Sequence, residues 1–220
     1  ALSTRSTIVY EDRLTHASLI DAAQLPQVRL KRFTHADTHS LQQWLVKPHD
    51  TTPIVATDGV FSMDGDIAPL AQLADLTQQH NAWLMVDDAH GLGVLGEAGQ
   101  GSTALDGLGT EHVPILMGTL GKAFGTFGAF VAGEESLIET LIQEARSYIY
   151  TTALPPAIAE ATRASLRIVC EERWRREKLR ALIARFRGGA EQLGLPLMPS
   201  TTPIQPLLIG QDDTALQTSQ

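Results

Sequence analysis

Three neighbouring stretches decide the fold: Pro53-Ile-Val-Ala-Thr57, Pro69-Leu-Ala-Gln-Leu-Ala-Asp-Leu-Thr-Gln-Gln-His80 and Ala82-Trp-Leu-Met-Val-Asp87. The outer two are apolar runs too short for a helix and read as buried strands. In the middle one Leu70, Leu73 and Leu76 fall on one helical face, and Pro69 suits a helix start because a missing N–H costs nothing in the first turn. Strand, amphipathic helix, strand is the unit from which a parallel sheet is built. The same alternation extends outward, with strands expected at Thr7–Tyr10, Val28–Phe33, Val113–Thr119 and Ala129–Ala132. The expected class is α/β, a mostly parallel sheet flanked by helices.

Beyond Gly133 the pattern turns helical: Glu134 to Tyr148, then Pro155 to Gly188, which is too long for one undivided helix and predicts a break near Cys170 to Trp174. Pro203 to Gly210 returns to strand character, and a further helix begins at Asp213. Residues 1–160 are expected to form a large domain, and 161–220 a linking helix plus the beginning of a smaller α/β C-terminal domain. Both ends look abrupt, which suggests part of a longer protein.

With 220 residues, 43% apolar and 19% charged, the chain buries a full core and is no disordered tail. A net charge of -8 without a basic patch argues against nucleic acid and anionic membrane as partners. The single cysteine, Cys170, can form neither an internal disulfide nor a Cys-rich zinc site, which favours a reducing cytoplasm. No stretch approaches the roughly 20 apolar residues of a membrane span.

Three motifs compete for the chemistry. Gly91-Leu-Gly-Val-Leu-Gly96 spells the dinucleotide fingerprint, but Asp87 to His90 intervene after the strand and no helix follows at once, so the glycines read better as a flexible loop. Asp87, Asp88 and His90, with Asp58, Asp64 and Asp66 as further oxygen donors, would suit a metal-dependent hydrolase; against this, Asp64-Gly-Asp66 is equally a turn and no second histidine stands at ligand spacing. Lys122 follows an apolar strand among Gly118, Gly121 and Gly125, where something bulky can approach, although a solvated surface lysine reads the same way. A Walker A loop is ruled out by Leu116 and Ala123. What favours the lysine is a partner: pyridoxal phosphate needs a Schiff-base lysine and a carboxylate against its pyridinium nitrogen, and Asp87 ends a strand where it can serve. His90, Ser62 and Thr119 are further polar groups near strand ends, and His16 could stack on the cofactor face; each is equally readable as a satisfied turn residue.

Five segments in order resemble the α-oxoamine synthases, a family of fold-type I pyridoxal phosphate enzymes: Leu14-Thr-His-Ala-Ser-Leu-Ile20, Asp58-Gly-Val-Phe-Ser-Met-Asp-Gly-Asp66, Val86-Asp-Asp-Ala-His-Gly91, Gly118-Thr-Leu-Gly-Lys-Ala-Phe-Gly125 and Tyr150-Thr-Thr-Ala-Leu-Pro-Pro156. The resemblance implies a fold-type I large domain, with Lys122 bonded covalently to pyridoxal 5'-phosphate, Asp87 on the pyridine nitrogen, His90 and Ser62 on the ring's oxygen side, and Thr119 beside the Schiff base. It makes His16 the stacking residue that also meets the substrate, and it lets Thr151 or Thr152 reach the phosphate of the other subunit of a homodimer. The wording around Ser62 to Leu70 favours the member that condenses L-alanine with a pimeloyl thioester, on coenzyme A or acyl carrier protein, in biotin biosynthesis. A sibling acts on glycine and acetyl-CoA, and a non-enzymatic binding fragment is the plainest alternative. Relative to the family, the Gly-rich and aromatic phosphate contacts before Ala1 and the small-domain arginine are missing, so the bare chain is not expected to be a complete enzyme.

Overall fold

The computed structural model describes residues 1–25 and 27–219. Six strands, β1 (Ile8–Asp12), β2 (Arg29–Phe33), β3 (Ile54–Asp58), β4 (Trp83–Asp87), β5 (Ile115–Thr119) and β6 (Ala129–Ala132), form one sheet in the order β2-β1-β3-β4-β5-β6. All neighbours are parallel except the β5–β6 pair, which is antiparallel. Every expected strand before Gly133 is therefore present, within one or two residues. Helices α1 (Ala17–Gln24), α2 (Thr38–Leu45) and α3 (Leu70–Gln79) link the first four strands.

Both faces of the sheet are covered, because β3 is buried at all five positions. On one face Tyr10, Phe33, Val55, Leu84 and Val86 pack with Leu41 of α2 and Leu70 and Leu73 of α3. On the other, Val9, Ile54 and Ala56 meet Leu19 of α1. At the edge, β2 exposes Arg29, Lys31 and Arg32, charges that discourage a further strand from adding. Pro69 lies one residue outside α3, at its N-cap.

The helical half differs in detail. The stretch 134–148 is two helices, α4 (Glu135–Glu144) and α5 (Arg146–Ile149), parted where Ala145 adopts extended backbone. The long helix breaks where expected: α6 (Pro156–Glu171) and α7 (Arg173–Gln192) meet at Glu172. Buried Arg176 holds that corner, donating to the Val169 carbonyl at 2.6 Å and the Glu97 carbonyl at 3.1 Å. A last helix, α8, spans Asp212–Thr218.

The strand expected over Pro203–Gly210 does not form. Only an isolated Leu197–Leu207 bridge occurs there. Pro203 and Pro206 have no N–H to give a ladder, and the segment is held by side chains instead. The hydroxyls of Ser200 and Thr202 donate to the Gly65 carbonyl at 2.8 and 2.9 Å.

Candidate active site

The carboxyl ends of parallel strands share one edge of the sheet, where loops leave an open crevice. Asp58 and Asp87, last residues of β3 and β4, are register partners there, and Met117 of β5 lies opposite Asp87. Beyond Thr119, a tight turn lifts Lys122 over the same edge: Leu120 N–H donates to the Gly128 carbonyl, and Gly125 N–H to the Lys122 carbonyl. Gly125, at φ 62°, closes that turn. Gly118 is required by space, since a Cβ there would lie 2.4 Å from Leu92 Cδ1 and 2.6 Å from Phe130 Cζ.

A cavity of about 180 Å³ results, lined among others by His16, Asp58, Asp87, His90, Thr119 and Lys122. Lys122 Nζ lies 2.7 Å from His90 Nε2. Burial, then the lysine's charge, hold the His90 pKa below its ordinary value, with Asp87 pulling the other way. The imidazole is thus neutral at neutral pH and accepts a hydrogen bond from the amine. Asp87 uses Oδ1 to accept from Ala89 N–H at 3.0 Å. Among the described residues its Oδ2 takes no hydrogen bond, which leaves that oxygen for a ligand. A second cavity of about 490 Å³ adjoins the other side of His90 and Lys122, toward α6 and α7.

His16 caps α1, its Nδ1 accepting from Ser18 N–H at 3.3 Å, and its own N–H donates to both Asp58 oxygens at 3.2 Å. Asp58 is almost fully buried, and its pKa is pushed up to about 7. Desolvation is the main cause; the His16 hydrogen bond opposes it, Asp87 and Asp12 add to it, and Lys122 opposes it. In the sequence, Asp58 stands out only as a possible metal donor and a motif residue. Two successive strands that each end in aspartate were the available signal.

Thr119 belongs to the site, its hydroxyl donating to the Gly128 carbonyl at 3.3 Å. Ser62 does not line the cavity; it is half-buried in the turn after Val60. Thr151 and Thr152 are exposed beyond α5 and line it no more than Ser62 does.

Asp88 faces away. Its Oδ2 accepts from Ser102 N–H at 2.8 Å, and its carboxylate fills the space beside Gly59, Gly91 and Gly101, where an added Cβ would lie 1.9 to 2.6 Å from its oxygens. Burial pushes its pKa up to about 6. The hydrolase alternative needed this side chain beside Asp87 and His90, and the glycines of the fingerprint-like run serve the loop around it.

The site therefore offers an amine, a carboxylate with one open oxygen, a neutral imidazole and a second imidazole at a helix cap. That donor set fits pyridoxal phosphate, which needs an amine to bond and an anion for its pyridinium.

Comparison with known proteins agrees. The family model "Aminotransferase class I and II" matches residues 1–220. The chain belongs to this family. Two relatives, both named 8-amino-7-oxononanoate synthase, are 61% identical in Nitrosococcus oceani and 63% in Thioalkalivibrio sulfidiphilus, each match taking in 100% of this chain and 58% and 56% of the relative. The chain thus spans somewhat over half the length of these relatives. Among solved structures of the fold, an 8-amino-7-oxononanoate synthase from Francisella tularensis superposes with a TM-score of 0.87 at 34% identity, over 98% of this chain and 63% of that one. A serine palmitoyltransferase from S. paucimobilis, solved with a PLP–myriocin aldimine, gives 0.92 at 28%, over 97% and 56%. The fold is that of the fold-type I pyridoxal phosphate enzymes, and the resemblance read from the five segments is borne out.

Proposed function

We propose that this chain carries the cofactor site of an 8-amino-7-oxononanoate synthase, which condenses L-alanine with a pimeloyl thioester and releases the thiol carrier and carbon dioxide. The observation that carries the reading is the convergence of Lys122, Asp87 and His16 on one cavity at the carboxyl edge. The names of the relatives over the whole chain support the substrate pair.

In this reading Lys122 holds pyridoxal phosphate and Asp87 faces the pyridine nitrogen. Bound there, the cofactor supplies an electron sink for a carbanion. Asp87 keeps a negative charge at the nitrogen, so that the sink stays protonated. Lys122 Nζ takes the α-proton of alanine, and His90, 2.7 Å from that amine, serves the ring's oxygen side. His16 covers the ring and fixes its plane. Thr119 steadies the turn that carries Lys122.

Thr151 and Thr152 sit in an exposed apolar stretch with Phe127, Tyr148, Tyr150 and Leu154. Such a face fits a homodimer in which these threonines reach the partner's phosphate group, and Ser62 would act on the ring's oxygen side. The division at residue 160 into a large domain and the start of a smaller one is part of the same reading, as is a cytoplasmic location. Among the described residues no helix is long and apolar enough to cross a membrane.

The deciding experiment is borohydride reduction of the full chain loaded with pyridoxal phosphate, followed by peptide mapping. The pyridoxyl group is expected on Lys122, and a label on any other lysine overturns the assignment. Pairing alanine or glycine with pimeloyl or acetyl thioesters then decides the substrates.

A further inference from the structure

One partly buried cluster lies outside the cavity and has no part in the mechanism above. His35, in the loop after β2, stands between two carboxylates: its Nδ1 is 2.9 Å from Asp12 Oδ1 and its Nε2 2.8 Å from Asp66 Oδ2. Its ring packs edge-on against buried Phe61, centroids 4.4 Å apart at 89°. Carboxylates only accept, so both ring nitrogens donate and the ring is an imidazolium. Burial draws its pKa down, but the hydrogen bonds and charges of Asp12 and Asp66 outweigh that and raise it.

Asp12 belongs to the loop that carries His16 of the cavity, and Asp66 to the turn after β3 that contains Ser62. Asp12 ends β1 and builds the turn to His16: its Oδ1 accepts from Leu14 N–H at 2.8 Å, and its carbonyl accepts from the Thr15 hydroxyl at 3.0 Å. Asp66 closes the turn containing Ser62, where Phe61 N–H donates to its carbonyl at 3.0 Å. The third loop is fixed as well, since Ala36 N–H donates to Asp12 Oδ2 at 2.7 Å. Ala36 has φ 52°, a left-handed conformation that costs an alanine free energy and persists only where its surroundings enforce it. Asp12 is almost wholly buried, and Asp66 Oδ1 is buried with no partner among the described residues. Loss of the imidazolium would leave two carboxylates short of a donor, which a loop rearrangement would relieve.

We propose that His35 is a positioning residue: by bridging Asp12 and Asp66 it locks the turn bearing His16 to the turn bearing Ser62, and so sets where the His16 ring lies over the cavity. The consequence for catalysis rests on the cofactor reading above; the clamp itself does not.

The test uses the full-length protein in two variants. His35→Phe keeps the edge contact with Phe61 and removes both donors, while His35→Gln keeps an amide that can donate to either carboxylate. Without cofactor, the His16 imidazole signals in ¹H–¹⁵N spectra, assigned by their loss in His16→Asn, are expected to shift and broaden in His35→Phe and to return part-way in His35→Gln. His16 signals that superimpose on wild type in His35→Phe overturn the clamp. Should that variant fail to fold, Asp66→Ala removes one arm only, and unmoved His16 signals there overturn it equally. With pyridoxal phosphate bound, kcat/KM for L-alanine is expected to fall about 10- to 100-fold in His35→Phe, the cost of a misplaced contact, and to recover in part in His35→Gln. If the His16 signals move and kcat/KM stays within about twofold of wild type, the clamp stands and the stacking role of His16 falls.

Discussion

Asp58→Asn turns the electrostatics of the cavity into a measurable free energy. The native carboxyl titrates near 7 rather than at its ordinary 3.8, chiefly because burial disfavours the ion. A group whose folded pKa lies above its unfolded one keeps its proton longer when folded, so stability is highest at low pH and falls as pH rises. The fall begins near 4, where the unfolded carboxyl ionises, and ends near 7, where the folded one does. At about 1.36 kcal/mol per pH unit over that span, wild type should lose on the order of 4 kcal/mol that the Asn variant retains. Asparagine fills nearly the same volume, and its Oδ1 still accepts from His16 N–H, so other contacts largely cancel in the comparison. Urea unfolding of cofactor-free protein between pH 4 and 8 gives the difference directly, and the Asp58 carboxyl carbon can be titrated by NMR alongside. A wild-type minus variant difference that stays flat within about 0.5 kcal/mol would show a hydrated carboxylate and refute the reasoning.

Other outcomes follow from the same geometry. Asp87→Asn should leave the fold and cofactor binding nearly intact while lowering turnover by orders of magnitude, as steady-state kinetics beside a cofactor absorbance titration would show; rescue by a divalent metal would revive the hydrolase reading. His16→Ala should weaken cofactor binding by about 1 kcal/mol, the size of an aromatic stacking contact, and His16→Phe by less; equal affinities in all three forms would remove the ring from the site. Gly101→Ala combines φ 102° with a Cβ placed 1.9 Å from Asp88 Oδ2, so a loss of several kcal/mol in thermal or urea unfolding is expected, and a change under about 0.5 kcal/mol would contradict the packing around Asp88.

Much of this architecture was legible because buried parallel strands leave continuous apolar runs, as in Ile54–Asp58 and Trp83–Asp87, and because a 34-residue helical pattern from Pro155 to Gly188 must break somewhere. Lys122 and Asp87 stood out for a related reason: polar residues closing apolar strands point into the crevice. The segment Pro203–Gly210 misled because its short apolar run imitates a strand, while its prolines withhold the N–H groups that a ladder needs. The His35 bridge was invisible, since its partners lie 23 and 31 residues away and meet it only once three loops are folded against one another. Asp58 ends its strand as Asp87 does, but nothing in its neighbours along the sequence marks its carboxyl as one that is buried.

The arrangement around Asp88 bears on how this loop can change over evolutionary time. One carboxylate occupies the room that side chains at positions 59, 91 and 101 would need, so replacing any one of those glycines alone meets an obstacle made by the aspartate. Replacing the aspartate alone strands the Ser102 N–H that it accepts from and leaves a gap beside the Ser102 and Leu92 side chains. Four positions spread over three separate segments are therefore sterically coupled, so that a change at one is expected to need a change at another. A loop grafted here from a distant relative would have to bring its aspartate and all three glycines with it.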